Sequence, residues 1–502
     1  MKGNIQHPTS NIQWRLRLRP IDVGCWMFPF PACLLPRTAL LPALLALLAL
    51  LAGCAIGPKY HRPPVDAPAT FRDEPTRSTA SLGALPWWEV FHDPTLQHLV
   101  RAAFTNNYDL RIAATRVQQA QAVVTQVRSQ LFPMLNYGAL AARNKNAFPG
   151  GQPIPDQPAA NIFEGNVNAS WEIDLWGRIR RMTESARAQY FATQEARHDV
   201  TASVLAQVAQ GYFQLLALDR ELAIAEEATN SFGESYNLFN ERLVGGVASK
   251  LETSSAEALL GSAAADIPNL RRQIAIAENQ LSVLLGENPR AIMRAGSDLD
   301  NQWPPDVPAG LPSALLERRP DIREAEQQLR SANAQIGVAE ANFLPQLNLT
   351  GLLGRVSPEL AMLTAGSSTA WSVAAELTGP LFEAGQLIGA YRQARAARDQ
   401  CVLQYQATVL NAFQEVSSAL ISREQLAEAY VQQARAVAAY REATRVATER
   451  YRRGQSSYYE VLQEQQLLFP AENTLAQARY GQLAAVVQLY RALGGGWEQQ
   501  AP

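Results

Sequence analysis

Hydrophobic residues recur at every seventh position in two stretches of the chain, 110–131 and 322–343. Alanine or, once, valine stands three positions further on. The seven-residue positions are Leu110, Val117, Val124 and Leu131 in the first stretch and Ile322, Leu329, Ile336 and Phe343 in the second. This period predicts two helices with coiled-coil packing, and the small residues allow a neighbouring helix to approach closely. Pro133 and Pro345 are expected to end these helices.

Two stretches of roughly alternating apolar and polar residues follow each of these helices. They cover about 134–147 and 161–176 in the first half of the chain and about 345–357 and 368–382 in the second. Their length and period fit transmembrane β-strands, whose signal per strand is weak. Two soluble hairpins fit the same pattern equally well.

Aromatic residues and glycines mark the ends of these predicted strands. Trp171, Trp176, Trp371 and Phe382 are the aromatic residues. They suit an aromatic belt at a membrane interface, and for Trp176 packing between strands and helices is an equal alternative. Gly177 and Gly385 stand where strand should become helix, and glycine is expected to permit that bend.

A proline-free helical pattern then runs through about 178–244 and again through about 386–453. At 1.5 Å per residue, about 67 residues make a helix of about 100 Å, which must extend beyond any globular core. Glycine breaks follow each long helix, and returning helices are predicted at about 249–285 and 456–493. Pro268 and Pro470 are expected to disturb the returning helices.

The two halves of the chain repeat one another. Asp109-Leu110-Arg111 recurs 212 residues later as Asp321-Ile322-Arg323, and Arg242 with Gly246 and Ser249 recurs 208 residues later as Arg450 with Gly454 and Ser457. A shift that persists through each half indicates a tandem duplication. The predicted boundaries are 87–290 for the first repeat, 291–312 for a linker, 313–495 for the second repeat and 496–502 for a tail. Four strands cannot close a barrel, so strands that enter a membrane require an oligomer; a trimer supplies twelve.

The N-terminus has the pattern of an export signal. Residues 39–52 are an unbroken apolar run preceded by basic residues, too short for an ordinary membrane span. The run ends in Leu51-Ala52-Gly53-Cys54, the pattern of a bacterial lipoprotein signal. We therefore predict a signal peptide at 1–53, lipidation of Cys54 and a Pro-rich tether at 54–86. An ordinary signal peptide with a chance cysteine is the alternative.

Composition excludes several classes of protein. The chain of 502 residues carries a net charge of −2, which gives no electrostatic reason to expect nucleic acid. Its four cysteines and five histidines are scattered without metal-ligand spacing, so we expect neither metal nor cofactor. No hydrolase or metalloprotease motif is present, and an enzyme is not expected.

Several segments, taken in order, resemble the recurring motifs of the TolC-like outer membrane factors, and most of all the lipoproteins of the NodT/OprM type. They lie at 87–120, 171–181, 315–329, 380–387 and 450–465. The resemblance covers about 55–495. It implies a mainly α fold with a membrane β part: a homotrimer with an α-helical barrel and a twelve-stranded transmembrane β-barrel, four strands per protomer. It also implies an outer-membrane location with a long periplasmic extension.

The resemblance further implies a passive exit duct for drugs or other solutes. The implied partners are a periplasmic adaptor, an inner-membrane pump of the RND type and outer-membrane lipid. A periplasmic adaptor or a purely structural coiled-coil lipoprotein would be the competing classes, but the tandem repeat argues against the first and the paired strands against the second.

The turns at the far ends of the long helices are the predicted functional site. In the resembling family these tips meet the adaptor and close the duct. The corresponding docking residues here are Gly245, Gly246, Val247 and Ser249 in the first repeat and Gly454, Gln455 and Ser457 in the second. A plain connection between helices is compatible with the same residues.

The family often places acidic rings just after the second tip. Glu460 matches one ring, whereas Gln463 departs from the pattern and puts strong cation selectivity in doubt. We predict a periplasmic gate formed by Glu460, Gln463, Tyr459, Arg450 and Tyr451, in which Arg450 and Tyr451 contribute latch contacts. A solvated helix face is the alternative for Glu460 and for the basic residues.

Overall fold

Both halves of the chain fold into the same succession of elements. The computed structural model describes residues 55–72, 81–145, 158–294, 298–302, 310 and 312–497, all within one unit that spans Leu51–Pro502. The predicted signal peptide and Cys54 lie outside the described residues. None of the described helices combines the length and apolar character that crossing a bilayer requires.

The elements follow the predicted order. The first half contains α1 (Trp87–Val90), α2 (Pro94–Asn106), α3 (Tyr108–Ser129), β1 (Met134–Asn144), β2 (Ala160–Ile173), α4 (Arg178–Val244) and α5 (Lys250–Leu284). The second half contains α6 (Pro312–Arg318), α7 (Pro320–Ala341), β3 (Gln346–Ser357), β4 (Thr369–Thr378), α8 (Gln386–Arg452) and α9 (Tyr458–Ala492).

Helix α2 starts at a side-chain cap that also ties it to the core. One carboxylate oxygen of the buried Asp93 accepts hydrogen bonds from the backbone N–H groups of Thr95 (2.7 Å) and Leu96 (3.1 Å), and Pro94 occupies the first helical position. The other oxygen accepts from the Tyr212 hydroxyl and the Gln302 amide, each at 2.8 Å. Asp93 therefore joins α2 to the long helix α4.

The seven-residue stripes of α3 and α7 face neighbouring helices, as predicted. In α3, Leu110 and Ala113 are buried and Val117 and Val124 are half-buried, whereas most residues between them are exposed. The stripe of α7 is more deeply buried because α7 packs between α4 and α8, while α3 packs against α4. The two copies of one sequence pattern thus occupy unequal positions, and one face of α3 stays exposed among the described residues.

The described strands form one antiparallel sheet in the order β1–β2–β3–β4. Its register aligns Tyr137, Val167, Leu353 and Trp371 across the four strands, and all four side chains are exposed in the single chain. The adjacent register row of Asn136, Asn168, Leu352 and Ser372 is mostly polar and faces the opposite side. The two predicted hairpins are therefore not separate, because β2 pairs with β3 to make a sheet with an apolar and a polar face.

The bends from strand to long helix require glycine. Gly177 precedes α4 with φ of 80°, and Gly385 precedes α8 with φ of 89°, both in the left-handed region. The carboxylate of Asp174 then accepts from the first free N–H groups of α4, those of Ile179 (3.1 Å) and Arg180 (3.0 Å). The predicted role of both glycines is confirmed.

The aromatic residues near the sheet divide between two environments. The indole N–H of Trp176 donates to the backbone oxygen of Pro345 at 2.8 Å, which places Trp176 in the packing between strands and helices. The indole of Trp171 donates to Leu131 O at 3.0 Å. Trp171, Trp371 and Phe382 are exposed. An interfacial belt stays a prediction for these three.

The long helices match their predicted bounds closely. Helices α4 and α8 each have 67 residues, and the returning helices α5 and α9 each have 35. Pro268 and Pro470 lie inside α5 and α9 without ending them, so the expected disturbance does not interrupt either helix. Each proline removes one backbone donor that the helix could otherwise use.

Replacing Asp93 with Ala is expected to lower the free energy of unfolding by about 2–4 kcal/mol, because the cap is lost and a buried hydroxyl and amide lose their acceptor. The matched control is Asp109→Ala, which removes an exposed carboxylate from the first turn of α3 and should cost under about 1 kcal/mol. Chemical denaturation of both variants measures the difference. Equal destabilisation by the two changes would contradict the central role of Asp93.

Candidate functional site

The turn between α4 and α5 closes through backbone hydrogen bonds around one glycine. Gly246 adopts φ of 72°, and its N–H donates to Leu243 O at 3.0 Å. The N–H of Val247 donates to Arg242 O at 2.9 Å. This pair of backbone hydrogen bonds, with a glycine in the left-handed region, is a common way for a helix to end. Gly245 has φ of −76°, an ordinary helical value, so the left-handed residue of this turn is Gly246.

Ser249 begins the returning helix α5 with a reciprocal cap. Its hydroxyl accepts from the N–H of Glu252 at 3.3 Å, and the Glu252 carboxylate accepts from the Ser249 N–H at 2.7 Å. The bond from the Ser249 backbone, aided by its hydroxyl, lowers the pKa of Glu252. Hydrogen bonds therefore fix the first tip both where α4 ends and where α5 begins.

The turn between α8 and α9 repeats the same backbone geometry. Gly454 adopts φ of 71° and its N–H donates to Tyr451 O at 2.8 Å, while Gln455 N–H donates to Arg450 O at 2.9 Å. Ser457, the residue before α9, makes no side-chain cap bond. The second tip therefore ends its first helix in the same way as the first tip, but its returning helix begins without a side-chain cap.

The two tips are exposed. A Cβ atom added to Gly246 or Gly454 would meet nothing within 4 Å. At the first tip, Val247 is 78% exposed. Two neighbours that the sequence analysis did not identify are also exposed, Val244 at 83% and Leu251 at 77%. The three residues lie at the end of α4, in the turn and in the first turn of α5, so no helical periodicity connects them in the sequence. We call Val244, Val247 and Leu251 the apolar tip patch.

Beneath the tips, aromatic rings join the two hairpins. Tyr458 packs edge-on against Phe239 (5.1 Å between ring centroids) and Tyr451 (4.7 Å), and its hydroxyl lies 2.7 Å from that of Ser235. The Arg242 guanidinium lies 5.2 Å from the centre of the Tyr451 ring. Burial raises the pKa of Tyr458, opposed by the bond to Ser235. The predicted latch residue Tyr451 therefore belongs to a cluster with Tyr458, Phe239 and Arg242.

The structure brings two of the predicted gate residues into direct contact. Arg450 Nη1 lies 3.3 Å from Glu460 Oε2, and both side chains are about half exposed. Such a pair contributes at most about 1 kcal/mol to stability. Gln463 and Tyr459 are exposed on α9. Glu460 is thus neutralised locally by Arg450.

The described part of the chain, including the tips, contains no group of three or more His, Cys, Asp or Glu side chains that could hold a metal ion. Cys401, in α8, is a free, half-buried thiol, and its burial raises the pKa of the thiol. The tips present exposed apolar side chains at the first turn and a half-exposed ion pair at the second.

A sequence profile described as outer membrane efflux protein matches residues 99–287 and 311–495, which include most of both repeats. The chain belongs to the outer membrane efflux protein family. The resemblance inferred from the motifs is confirmed, and the two matched segments coincide with the two halves of the duplicated fold.

Individual members of the family agree in length and location. The toluene efflux pump outer membrane protein TtgC of Pseudomonas putida is 35% identical over 460 residues, 90% of this chain and 94% of TtgC. The probable outer membrane lipoprotein SilC of Salmonella typhimurium is 32% identical over 452 residues, 89% of this chain and 97% of SilC.

The fold is that of solved channels. The crystal structure of the open state of the Neisseria gonorrhoeae MtrE outer membrane channel superimposes with a TM-score of 0.81 at 31% identity, over 89% of this chain and 99% of MtrE. The chain is thus an outer-membrane channel component for efflux, mainly helical with a membrane sheet, as predicted. The docking and gate residues and the repeat boundaries stay predictions.

Gly246→Ala is expected to destabilise the first tip by about 1–2 kcal/mol, because alanine is strained in the left-handed region. Gly245→Ala is the matched control: its φ is ordinary and an added Cβ would lie 3.5 Å or more from its neighbours. Hydrogen exchange of tip amides should accelerate in the first variant alone. Equal exchange in both variants would contradict the assigned turn.

Proposed function

We propose that three copies of this chain form a passive outer-membrane exit duct. The observation that carries the proposal is the sheet: four strands present an apolar face, and β1 and β4 pair with no further strand within the described residues. Unpaired edges are too costly in lipid, and four strands are too few to close on themselves. Twelve strands from three copies close a barrel and leave the polar face toward the lumen.

The helices provide independent support for side-by-side copies. Apolar side chains of α8 such as Leu403, Leu410 and Val431 are exposed in the single chain, as are Ile112 and Val123 of α3. These helices flank the array, since α4 and α7 lie between them. Packing α8 of one copy near α3 of the next would cover both faces and continue the helices into a barrel.

The partners follow from the family and from the tips. A periplasmic adaptor would contact the apolar tip patch, and an inner-membrane pump of the RND type would supply the energy that a passive duct lacks. The chain would therefore transport drugs or other small solutes without catalysing a reaction. The toluene named for TtgC is a property of that relative, and this chain's own cargo depends on its pump.

Lipidation of Cys54 is the remaining part of the proposal. The apolar run and the Leu-Ala-Gly-Cys sequence support it. Cys54→Ser should abolish incorporation of labelled fatty acid while the trimer still assembles, because barrel closure holds the copies together. Label retained by the variant would refute lipidation at this residue.

The deciding experiment combines mass and conductance of detergent-purified protein. A mass of three chains, with ion-conducting pores in planar bilayers, is the expected result. A monomer that forms no pores would overturn the duct. Cross-links between cysteines placed on β1 and β4 should join separate chains, which distinguishes barrel closure from other trimers.

The pair Arg450–Glu460 predicts opposite shifts in ion selectivity from two neutral substitutions. Glu460→Gln leaves three unpaired arginines at the proposed gate and should favour anions; Arg450→Gln leaves three carboxylates and should favour cations. A unit charge about 4 Å from an ion in water contributes about 1 kcal/mol, so permeability ratios should change up to about fivefold. Reversal potentials in a salt gradient measure the shifts.

The double substitution should restore the original selectivity, because it removes both charges. Glu442→Gln is the control, since Glu442 pairs with Arg445 on α8, farther from the tip. Identical reversal potentials in the parent and in both single variants would remove Arg450 and Glu460 from the gate.

A further inference from the structure

The charged side chains of the sheet divide by sign between its two faces. Alternate residues of a strand point to opposite sides, so the register assigns each of them to a face. The carboxylates of the four described strands all lie on the polar face: Glu164, Glu172 and Glu376. The basic residues of these strands, Arg143 and Arg355, both lie on the apolar face that contains Tyr137 and Trp371. The face that is proposed to meet lipid therefore carries positive charge alone.

Both arginines lie near the end of the sheet that is farthest from the helices. Each is eight residues beyond the first apolar residue of its strand on this face, Leu135 for Arg143 and Leu347 for Arg355. At about 3.3 Å per residue this is about 26 Å along a strand, or about 20 Å across a membrane when the strands tilt by about 40°. An apolar band on a membrane barrel is about 25 Å tall. The arginines thus lie toward its far edge, where a charge on the lipid side costs least.

The described part of the chain does not neutralise these charges. Arg143 and Arg355 are exposed, as is Lys145 just beyond the end of β1, and none of the three pairs with a described carboxylate. Glu359 is the one carboxylate in the described connection between β3 and β4 (358–368), and it forms no ion pair with a described basic group. Anions from outside the chain are therefore needed to balance the arginines.

The connection between β3 and β4 folds against the same face and fixes Arg355. Nη1 of Arg355 donates to the backbone oxygens of Leu363 and Ala365, each at 3.3 Å. The hydroxyl of the buried Ser368 donates to the same two oxygens, at 2.8 Å and 2.6 Å. Because the Arg355 side chain points away from the polar face, these bonds place the connection on the apolar side of the sheet. The guanidinium is therefore held in one position.

Apolar side chains surround this position. The short helical turn of the connection, Leu360–Thr364, contacts β2 and β3. Within it Leu360 is 64% exposed and Met362 is 49% exposed. A fixed positive charge beside exposed apolar groups matches a molecule that combines an anionic head group with hydrocarbon chains.

We propose that Arg143 and Arg355 bind the phosphate groups of lipids in the outer leaflet of the outer membrane. This inference rests on the proposed barrel, in which the helices are periplasmic and the opposite end of the sheet faces the cell exterior. Guanidinium groups donate two parallel hydrogen bonds to phosphate oxygens, which makes arginine well suited to this ligand. A free phosphate ion would satisfy the arginines but not the apolar side chains, so the occupant carries phosphate and acyl chains together.

Native mass spectrometry of the detergent-purified, full-length protein tests the site with two probes, lipid A that bears two phosphates and lipid A from which both have been removed. The parent should retain the phosphorylated lipid at least about tenfold better, since the phosphates supply the charge. Arg143→Gln and Arg355→Gln should each weaken its binding about fivefold, and the double substitution about thirtyfold, because each basic residue at an anionic membrane surface contributes a factor of about five.

The matched control is Arg272→Gln, which removes the same charge from the exposed surface of α5, away from the sheet; its affinity for phosphorylated lipid A should equal that of the parent. Arg143 makes no hydrogen bond to the connection, so Arg143→Gln keeps the test valid if the loss of Arg355 displaces it. Equal binding of the two lipids by the parent would overturn the proposal, and so would equal affinity of the parent and the double variant for phosphorylated lipid A. Displacement of that lipid by an equal concentration of inorganic phosphate would overturn the assignment to a lipid.

The mass of the complex separates this inference from the barrel on which it rests. Three chains with phosphorylated lipid bound are the expected result. Three chains without a preference for the phosphorylated lipid would refute the lipid site and leave the barrel standing. A single chain would refute the barrel and the lipid site together.

Discussion

A four-stranded sheet with an apolar face cannot satisfy its own edges, and this constraint governs the rest of the molecule. In lipid each unpaired backbone group costs several kcal/mol, so β1 and β4 require partner strands that the described part of one chain does not supply. The duplication supplies two hairpins per chain and stops short of a closed barrel. Oligomerisation is therefore part of the fold, and the flanking helices α3 and α8 share the requirement.

Duplication also explains why equal sequence patterns have unequal surroundings. Helix α7 is enclosed by α4 and α8, whereas α3 borders the single chain. The tips show the same asymmetry: both stop with a left-handed glycine, but Ser249 caps α5 and Ser457 makes no equivalent bond. Two repeats with the same order of elements thus have different contacts: the first tip carries the apolar tip patch, and the second carries Arg450 and Glu460.

Local patterns predicted most of the fold. The seven-residue stripes, the long helices and the glycine bends each depend on neighbours in sequence, so the amino-acid pattern was sufficient. The contacts of Tyr458 with Phe239 join residues more than 200 positions apart, and no periodicity reveals them. The close approach of Gly57 to Gly337 requires a residue without a side chain at both positions, which lie in distant segments of the chain. Pro268 and Pro470 lie inside helices that continue past them, which the sequence pattern around each proline does not reveal.

The matched lengths of the helices restrict how this protein can evolve. Helices α4 and α8 are both 67 residues long, and α5 and α9 are both 35. One inserted residue would rotate everything beyond it by about 100° and advance it by 1.5 Å, so a single insertion would lift one tip out of line with the other. We therefore expect insertions and deletions in these helices to be tolerated only in compensating sets across both repeats, and unpaired changes of length to be tolerated in the loops.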